Sequence, residues 1–536
     1  MDSANDTKTE LPLPQLDYSE PPVGSDRRAF MVRSALATAV AVVTGMPIAA
    51  CSKTTPAQAP AAGAALTGKT DAALQVVKQS KGPVMTLIDE FYKVGPGPSS
   101  SHTIGPMRIT YDFYQRATKL APDVLAQATA LKVHLFGSLS ATGKGHGTER
   151  AALAGLIGKE PATIDPAFLD GLAANPKQTF PVKLGNKSIN VSLADIVYDA
   201  TKGDFPHANT LVAKLMGGDK VLLEQEYYSV GGGFIEWKGY TPPAKKPPKY
   251  PYETMAQLVE HAKKNNLSVA QVAMANETSI SGRSEAEINA FLDKILGAME
   301  LTVKAGLEAP TSTLPGPIKL KTKAHDVFAS AQNQEGEARR AIGLVSAYAL
   351  AGSEENARGH LVITAPTGGS AGVLPAVIHS LGAGGAKLPA AKLREGLLAA
   401  STVGYLCKHH ATLAAAEGGC QAEIGVASAM GAAAIAQAYD EPPQVVSNAA
   451  EGALEHHLGM TCDPVAGYVQ VPCIERCAFG AIKSWTGYLI AKNEIPINRR
   501  VDFDSTVQAL ALTAKEMNSK YKETSEGGLA VSLVLC

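Results

Sequence analysis

Two stretches in the first half of the chain alternate apolar and polar residues, which is the pattern of half-buried β-strands. Residues 181–193 alternate on both sides of the pair at 185–186, Gly-Asn, which favours a tight turn. Residues 211–216 and 221–228 flank a second turn signal, Gly-Gly-Asp, at 217–219. The sequence therefore predicts two β-hairpins in this region.

Beyond residue 252 the spacing of apolar residues becomes that of helices, three and four positions apart. It predicts helices over residues 253–265, 284–306, 391–416 and 421–439, and strand signals nearly vanish. The preceding segment, residues 240–252, contains five prolines and three lysines. Such a composition is typical of a linker between domains.

These patterns predict an α+β protein in which a mixed α/β N-terminal domain precedes an all-α helical domain. A length of 536 residues is long for one domain. We expect a disordered segment over 1–24, a signal over 25–51, a tether over 52–72, the mixed domain over 73–238, a linker over 239–252, and the helical domain with a C-terminal tail over 253–536.

The near-equal numbers of basic and acidic residues limit the kinds of partner that this protein can bind. The chain has 49 basic and 50 acidic residues, for a net charge of -1, and no basic run stands out. A nucleic-acid-binding protein needs a positive field to neutralise phosphates, and no such field is present. We therefore expect a small-molecule partner and no nucleic acid.

The N-terminal segment carries the features of an export signal in the expected order. Arg27 and Arg28 precede a mildly apolar run over 34–50, and the run ends in small residues before Cys51. This arrangement resembles a twin-arginine signal with a lipoprotein processing site. Cys51 is thus a candidate lipid anchor, and a periplasmic or membrane-anchored location is expected. The alternative is an amphipathic helix behind a flexible tail, on a cytoplasmic protein.

Six further cysteines lie in the last quarter of the chain. They are Cys407, Cys420, Cys462, Cys473, Cys477 and Cys536. Buried thiols, disulfides in an exported protein, structural zinc and an iron–sulfur cluster are all compatible with the spacing alone. The zinc interpretation is weak, because only one closely spaced pair is present. Glycine and proline beside three of the cysteines favour bends at which several segments converge.

Eight motifs in a fixed order carry a family resemblance. They are GPSSSHTIGPM at 97–107, TGKGHGT at 142–148, YYSVGGGF at 227–234, TAPT at 364–367, GCQAE at 419–423, EHHLGMTCDP at 455–464, VQVPCIER at 469–476 and KYKETS at 520–525. From near Lys81 to its end, the chain resembles bacterial iron–sulfur L-serine dehydratases. It is similar to their single-chain form, in which the β portion precedes the α portion.

The resemblance implies a 4Fe–4S cluster as cofactor. It assigns Cys420, Cys462 and Cys473 to three irons and leaves the fourth iron without a permanent protein ligand. In some relatives a C-terminal cysteine caps that iron at rest, and Cys536 matches this role. Cys407 and Cys477 match no family role, so we expect them to be core thiols.

The resemblance also implies the reaction, which is β-elimination of water from L-serine to give pyruvate and ammonia. An open iron site would act on the serine hydroxyl as a Lewis acid, and a positioned base would take the Cα proton. His102 and His146 are the candidate bases, and the sequence does not decide between them. The expected substrate-binding residues are Ser99, Ser100, Ser101, Thr103, Lys144 and Thr367. For the serine triplet, a helix cap is the alternative.

Further expectations rest on weaker matches. His207 and Asn209 resemble part of a regulatory serine-binding region, although a simple turn is as good an explanation. A homodimer is implied by the family. Three positions depart from the family pattern, namely Glu149, Gly368 and Cys477, and none of them is a predicted ligand or base.

Two other functions compete with the serine dehydratase assignment. The first is a cyst(e)ine desulfidase-like cluster lyase, which shares features of the α portion. The second is an exported, catalytically inactive lipoprotein that binds an amino acid or a partner. Retention of all four cysteines of the predicted cluster site argues against the second.

Overall fold

The structure, a computed structural model, describes residues 80–201, 203–495 and 498–532. The predicted disordered segment, signal and tether lie outside the described residues. So do Cys51 and Cys536. The expectations attached to them remain predictions.

Eighteen α-helices and nine β-strands make up the regular elements within the described ranges. The helices are α1 Ile88–Phe91, α2 Gly105–Thr118, α3 Pro122–Ala126, α4 Ser138–Thr142, α5 Thr148–Leu156, α6 Pro166–Ala174, α7 Met255–Lys264, α8 Val269–Ser281, α9 Glu285–Glu308, α10 Ala324–Gln332, α11 Glu337–Arg358, α12 Val373–Leu381, α13 Ala390–His410, α14 Ala415–Gly418, α15 Val426–Ala438, α16 Pro443–Glu455, α17 Cys473–Asn493 and α18 Phe503–Glu516. The strands are β1 Lys93–Pro96, β2 Ala130–Leu135, β3 Phe180–Leu184, β4 Lys187–Val191, β5 Ile196–Tyr198, β6 Thr210–Gly217, β7 Lys220–Ser229, β8 Ile235–Trp237 and β9 Leu361–Thr364.

The N-terminal part is built on a five-stranded sheet in the order β5-β2-β6-β7-β8. Strands β2 and β5 are parallel, and the other neighbours are antiparallel. Helices α2 and α5 pack on each other and against this sheet. Their buried side chains form one hydrophobic core with those of the sheet. The predicted mixed α/β architecture is confirmed.

Both predicted hairpins are present. Strands β3 and β4 pair in register from Phe180 with Val191 to Leu184 with Lys187. Strands β6 and β7 join across Gly218 and the following residue, with a bulge in the register near Met216. Alternation and turn chemistry are local signals, which is why the sequence locates these elements closely.

The C-terminal part is a helical bundle with α15 at its centre. All thirteen residues of α15 are buried, and α12, α13, α16 and α17 surround it. The helix is rich in Ala and contains one glycine, Gly431, so neighbouring backbones approach closely. A Cβ at Gly431 would lie 2.5 Å from the Ser484 hydroxyl on α17. A helix apolar on every side is stable only when it is covered on every side.

Three helices at the entrance to this bundle begin at capping boxes. Thr254, Ser268 and Ser284 each accept a hydrogen bond from the backbone N–H three residues later, where Gln or Glu reciprocates. These reciprocal bonds satisfy backbone donors that a helix N-terminus otherwise leaves free. They explain why α7, α8 and α9 begin where they do.

Two helix predictions differ in detail from the structure. The predicted helix over 391–416 is divided into α13 and α14 by residues 411–414. The predicted helix over 421–439 begins with a wider π turn, Gln421–Gly425, before α15. Both departures lie next to Cys420, where the chain bends to present that side chain.

One strand of the C-terminal part was not predicted. Strand β9 pairs antiparallel with β1 of the N-terminal part, from Lys93 with Thr364 to Pro96 with Leu361. The short segment before β1 also belongs to the helical core, because Phe91 and Tyr92 are buried within it. The two parts of the chain are therefore joined by main-chain hydrogen bonds as well as by apolar contacts.

The proline-rich segment at 240–252 contains no helix or strand. It is nevertheless held in place. The Lys245 ammonium lies 2.6 Å from both oxygens of Glu90, and the Tyr250 N–H donates to Asn276 Oδ1 at 2.7 Å. Of the helices described, none has both the length and the hydropathy to cross a membrane.

Glu277, in α8, is a buried carboxyl that links three elements. Its Oε1 accepts hydrogen bonds from the Ile88 N–H at 2.8 Å and the Tyr405 hydroxyl at 3.2 Å. An Arg283 nitrogen lies 3.6 Å from Oε2. Burial raises the pKa of Glu277 to about 7, although Tyr405 and Arg283 lower it in part.

A matched pair of leucines on α9 tests the position of the helical core. Leu292 is fully buried, whereas Leu301 on the same helix is 70% exposed. We expect Leu292→Ala to lower the free energy of unfolding by about 2–5 kcal/mol, from lost burial and the cavity left behind. Leu301→Ala is expected to change it by less than about 0.5 kcal/mol. Urea denaturation of both variants is the measurement, and equal losses would contradict the assignment.

The raised pKa of Glu277 predicts a pH-dependent stability. Its folded pKa of about 7 exceeds the ordinary glutamate value of 4.5, so the native state binds the proton more tightly than the unfolded chain. The tighter proton binding stabilises the native state in full below about pH 4.5. This stabilisation, of up to about 3 kcal/mol, is lost as the pH rises to about 7. We expect Glu277→Gln to gain stability relative to the unaltered protein over that interval. Thermal melts across the interval measure it, with exposed Glu285→Gln as the control; parallel curves for the unaltered protein and Glu277→Gln would argue against the shift.

Candidate active site

The serine-rich turn is buried between the two parts of the chain. Ser99 caps a π turn over Ser100–Ile104, and its hydroxyl accepts the His102 N–H at 3.1 Å. All five residues from Ser99 to Thr103 are buried. The capping role considered from the sequence is therefore real for Ser99. The Ser100 hydroxyl is also buried and finds no hydrogen-bond partner among the described residues.

Two glycines let neighbouring segments approach this turn. A Cβ at Gly105 would lie 2.1 Å from the Ser229 hydroxyl, which itself donates to the Ser101 carbonyl at 2.7 Å. A Cβ at Gly368 would lie 2.7 Å from the Ser100 backbone nitrogen. The departure from the family pattern at 368 thus has a structural consequence, since the loop after β9 lies directly against the turn.

The hydrogen bonds of His102 define its tautomer. The Ser138 hydroxyl donates to the Glu523 carbonyl at 3.1 Å, so it accepts from His102 Nε2–H at 3.0 Å. His102 Nδ1 is then unprotonated and accepts from the Ser101 hydroxyl at 2.8 Å. Burial, with the neighbouring His146, holds the pKa of His102 well below its ordinary value.

His146 lies beside His102, with 4.5 Å between the ring centroids. Its Nδ1–H donates to the Thr142 carbonyl at 2.8 Å, so Nε2 carries the lone pair. That nitrogen is buried and has no hydrogen-bond partner among the described residues. Burial lowers the pKa of His146 to about 4. Thr103 holds this loop in place, because its hydroxyl donates to the His146 carbonyl at 2.8 Å.

Glu523 is the residue to which both histidines point. Its Oε1 lies 3.6 Å from His102 Nδ1 and 3.6 Å from His146 Nε2, the two unprotonated nitrogens. The carboxyl is buried, and burial raises its pKa well above the ordinary value. A protonated carboxyl between two ring lone pairs is able to pass its proton to either. The sequence prediction missed Glu523, although it lies in the motif at 520–525.

Three of the predicted ligand cysteines meet in the structure. The thiols of Cys462 and Cys473 both lie close enough to that of Cys420 to lower its pKa, and all three are buried. Cys420 follows Gly419, Cys462 pairs with the segment that carries Glu523, and Cys473 is the first residue of α17. Sulfur atoms from three distant segments therefore converge at one point next to the histidines.

Arg476 gives this group of thiols a positive neighbour. It lies one helical turn after Cys473. Its guanidinium donates hydrogen bonds to the Thr461 carbonyl at 2.7 Å and to Asp463 at 3.1 Å. Hydrogen bonds from the Cys462 and Cys473 thiols, together with the Arg476 charge, hold the pKa of Cys420 well below its ordinary value. A thiolate is the form of cysteine that binds metals. Arg476 is a second residue that the prediction missed.

Glu423 lies on the other side of the thiols. Its carboxylate and the sulfurs of Cys420 and Cys462 are mutually within 4.8 Å. Burial raises the pKa of Glu423 to about 8, and the nearby charge of Cys420 adds to this rise. The neighbouring Thr367 hydroxyl lowers the pKa in part. Thr367 thus lies next to Glu423, and its predicted role in substrate binding stays a prediction. Glu423, in the motif at 419–423, was not predicted.

One predicted substrate-binding residue lies elsewhere. Lys144 is exposed, and its ammonium lies 5.8 Å from the centre of the Tyr198 ring, away from the buried thiols and histidines. The predicted role of Lys144 in substrate binding therefore stays a prediction, and the structure does not place this side chain among the buried site residues. An ammonium is costly to bury without a charged partner, and the loop turns this side chain outward while burying His146.

His207 and Asn209 lie just before β6, and Ser229 connects Asn209 to the serine-rich turn. Asn209 is buried, and its side-chain N–H donates to the Ser229 carbonyl at 3.2 Å. His207 Nε2 lies 2.9 Å from Glu417, three residues before Cys420. These contacts connect the predicted regulatory region to both the serine turn and a cysteine segment. They do not test the predicted role.

Of the remaining cysteines, Cys407 and Cys477 are buried, as expected for core thiols. Burial raises the pKa of both, that of Cys477 to about 12. The Cys477 thiol donates to the Gly369 carbonyl at 3.3 Å.

Both parts of the chain match known protein families. Residues 88–240 match the family model for the serine dehydratase beta chain, and residues 264–530 match that for the serine dehydratase alpha chain. An L-serine dehydratase of Haemophilus influenzae is 36% identical over 459 residues, which cover 84% of this chain and all of that protein. L-serine dehydratase 2 of Escherichia coli is 36% identical over 465 residues, with the same coverage. An L-serine dehydratase of Streptomyces coelicolor is 36% identical over 456 residues, covering 83% of this chain and 99% of that protein.

Proposed function

This chain belongs to the iron–sulfur L-serine dehydratase family, with the β and α portions in one polypeptide, and from that premise we propose that it converts L-serine to pyruvate and ammonia. The observation that carries the proposal is the convergence of three buried thiols beside two histidines and a serine-rich turn. The serine turn and the whole β portion favour this function over a desulfidase-like lyase.

The three thiols fit an iron–sulfur cluster. They are soft donors, they are buried, and they come from separate segments, so they can occupy three corners and leave the fourth open. Cys420, Cys462 and Cys473 would hold a 4Fe–4S cluster. When bound, the cluster supplies a Lewis-acidic iron for the hydroxyl of L-serine. Arg476 offsets negative charge on the sulfurs.

Hydroxyl groups from the serine-rich turn would hold the substrate carboxylate. The Ser100 hydroxyl is buried without a partner among the described residues, which is costly unless a ligand satisfies it. Ser99, Ser101 and Thr367 line the same region with further hydroxyls. Thr103 acts indirectly, by holding the loop of His146.

We assign the role of general base to His146. Its Nε2 carries a free lone pair, whereas both nitrogens of His102 are engaged by serine hydroxyls. Burial keeps His146 neutral at pH 7, so it is ready to take the Cα proton. Glu523 Oε1 lies 3.6 Å from each ring, and because this carboxyl is itself protonated, it takes that proton only as it passes its own to His102 Nδ1. The released aminoacrylate tautomerises and hydrolyses to pyruvate and ammonia.

The C-terminal tail would cap the open corner at rest through Cys536. The Leu529 N–H donates to Asp463 at 2.7 Å, and the Ser525 hydroxyl donates to the Pro464 carbonyl at 2.7 Å. The tail is thus anchored next to Cys462. Cys536 is the seventh residue after Leu529, and seven residues of extended chain span roughly 23 Å.

Other expectations stay as proposals. Regulation by L-serine would act through His207 and Asn209, whose contacts reach the serine turn and the Cys420 segment. A homodimer, export and a lipid anchor at Cys51 rest on the resemblance and on the N-terminal residues alone.

The cluster assignment predicts the outcome of cysteine substitutions. We expect Cys420→Ser, Cys462→Ser and Cys473→Ser each to lose most of the bound iron and acid-labile sulfide, and with them pyruvate formation, because each removes one of three ligands. Cys407→Ser is the control, since that thiol is buried in the core away from the site. Iron and sulfide analysis of anaerobically purified protein is the measurement. Full iron content in all three variants would overturn the assignment.

The assignment of the base predicts a difference between two histidines. His146→Asn is expected to lower kcat for L-serine by about 10²–10⁴-fold with iron content unchanged, because general base catalysis contributes about that much. His456→Asn, at an exposed position, is expected to leave kcat unchanged. A pyruvate assay on anaerobic enzyme is the measurement. If His146→Asn retained more than about a tenth of kcat, another group would be the base.

A further inference from the structure

A cavity distinct from the thiol site lies where residues 81–93, residues 234–245 and the end of α13 meet. Its volume is about 490 Å³. It shares no lining residue with the buried thiols, His102 or His146. Five cationic side chains line it, against two carboxylates, Glu90 and Glu236.

Most of these cations have no carboxylate partner. Lys81, Lys93, Arg108 and Lys408 have no Asp or Glu oxygen within 4.0 Å among residues 80–532 as described, whereas Lys245 is paired with Glu90. Lys93 is held by the carbonyls of Glu90 and Gly232, and Arg108 by that of Gly233. Carbonyl oxygens orient these groups but do not neutralise them.

The arrangement around Phe234 concentrates the positive charge. The Lys93 ammonium lies 3.5 Å from the centre of the ring, and the Lys408 ammonium lies 4.4 Å from it. Burial lowers the pKa of both lysines, which means that their charged forms lack solvation. A ring quadrupole compensates only in part for two half-buried ammonium groups that also repel each other.

The cavity also has an apolar wall. Phe234, Tyr240, Pro242 and Pro243 line one side of it. Ligand sites commonly combine such a wall with a few convergent charged groups. A bound anion would receive charge-assisted hydrogen bonds from the lysines and would remove their mutual repulsion.

We propose that this cavity is a binding site for a small organic anion with at least two negative charges. Its acidic groups contact Lys93, Lys408 and Lys81, and its carbon skeleton lies against Phe234 and the proline pair. Phosphate and carboxylate groups share this chemistry, and the choice of probe separates them.

Isothermal titration calorimetry of the cluster-loaded, full-length protein tests the site at constant ionic strength, with inorganic pyrophosphate and citrate as probes. We expect at least one probe to bind with Kd below about 1 mM. Pyrophosphate alone indicates a phosphate ligand, and citrate alone indicates a polycarboxylate. No binding of either probe up to about 10 mM would overturn the proposal.

Variants locate the binding. Lys408→Gln removes the charge, keeps a polar side chain that is one atom shorter, and is expected to weaken binding about tenfold, as for loss of one charge-assisted hydrogen bond. Lys81→Gln changes an exposed residue at the rim, which folding tolerates, and is expected to act in the same direction. Lys515→Gln removes the same charge at an exposed position outside the cavity and is expected to leave Kd unchanged. Equal weakening by all three variants would show general charge attraction and would contradict a defined site.

Discussion

Two backbone hydrogen bonds join the segments of Cys462 and Glu523 in the candidate active site. The Cys462 N–H donates to the Tyr521 carbonyl at 2.8 Å, and the Glu523 N–H donates to the Cys462 carbonyl at 2.9 Å. This short parallel pairing fixes the thiol of Cys462, a predicted cluster ligand, and the buried carboxyl of Glu523 at neighbouring positions, although they are far apart in sequence. Several groups contact residues of this pairing or next to it. Both histidines and Ser138 lie against Glu523, and the tail is bonded to Asp463. Main-chain bonds buried away from water are costly to break, so they give the site a rigid reference.

Burial sets the protonation of the groups around this pairing. It lowers the pKa of both histidines and raises those of Glu423 and Glu523, so all four groups favour their neutral forms. Neutral groups are cheaper to bury than charges, and each retains a hydrogen that can be moved or a lone pair that can receive one. The site is therefore suited to moving one proton among near-neutral groups, while Arg476 accompanies the negative charge of the thiolate.

Local patterns predicted much of the fold and a good part of the site. Turn chemistry located both hairpins, and helical spacing located the bundle, because these signals depend on neighbours in sequence. Strand β9 was missed since its four residues pair with a strand that lies far away along the chain. The exposure of Lys144 was not predicted, because a motif does not say which of its side chains turns inward. Glu423, Arg476 and Glu523 lie inside recognised motifs, but their roles depend on which segments meet. That meeting is a matter of packing, which spacing in the sequence does not encode.

The β1–β9 pair has a consequence for how such a protein can be divided. If the chain were cut within the proline-rich segment at 240–252, the two fragments would meet through a two-stranded sheet and through Phe91 and Tyr92, which lie on one fragment and are buried by the other. Main-chain pairing tolerates changes of side chain, so such an interface would survive sequence drift on either fragment. Synthesis as two separate polypeptides would then require co-assembly, since neither fragment alone would cover its exposed strand edge and apolar residues.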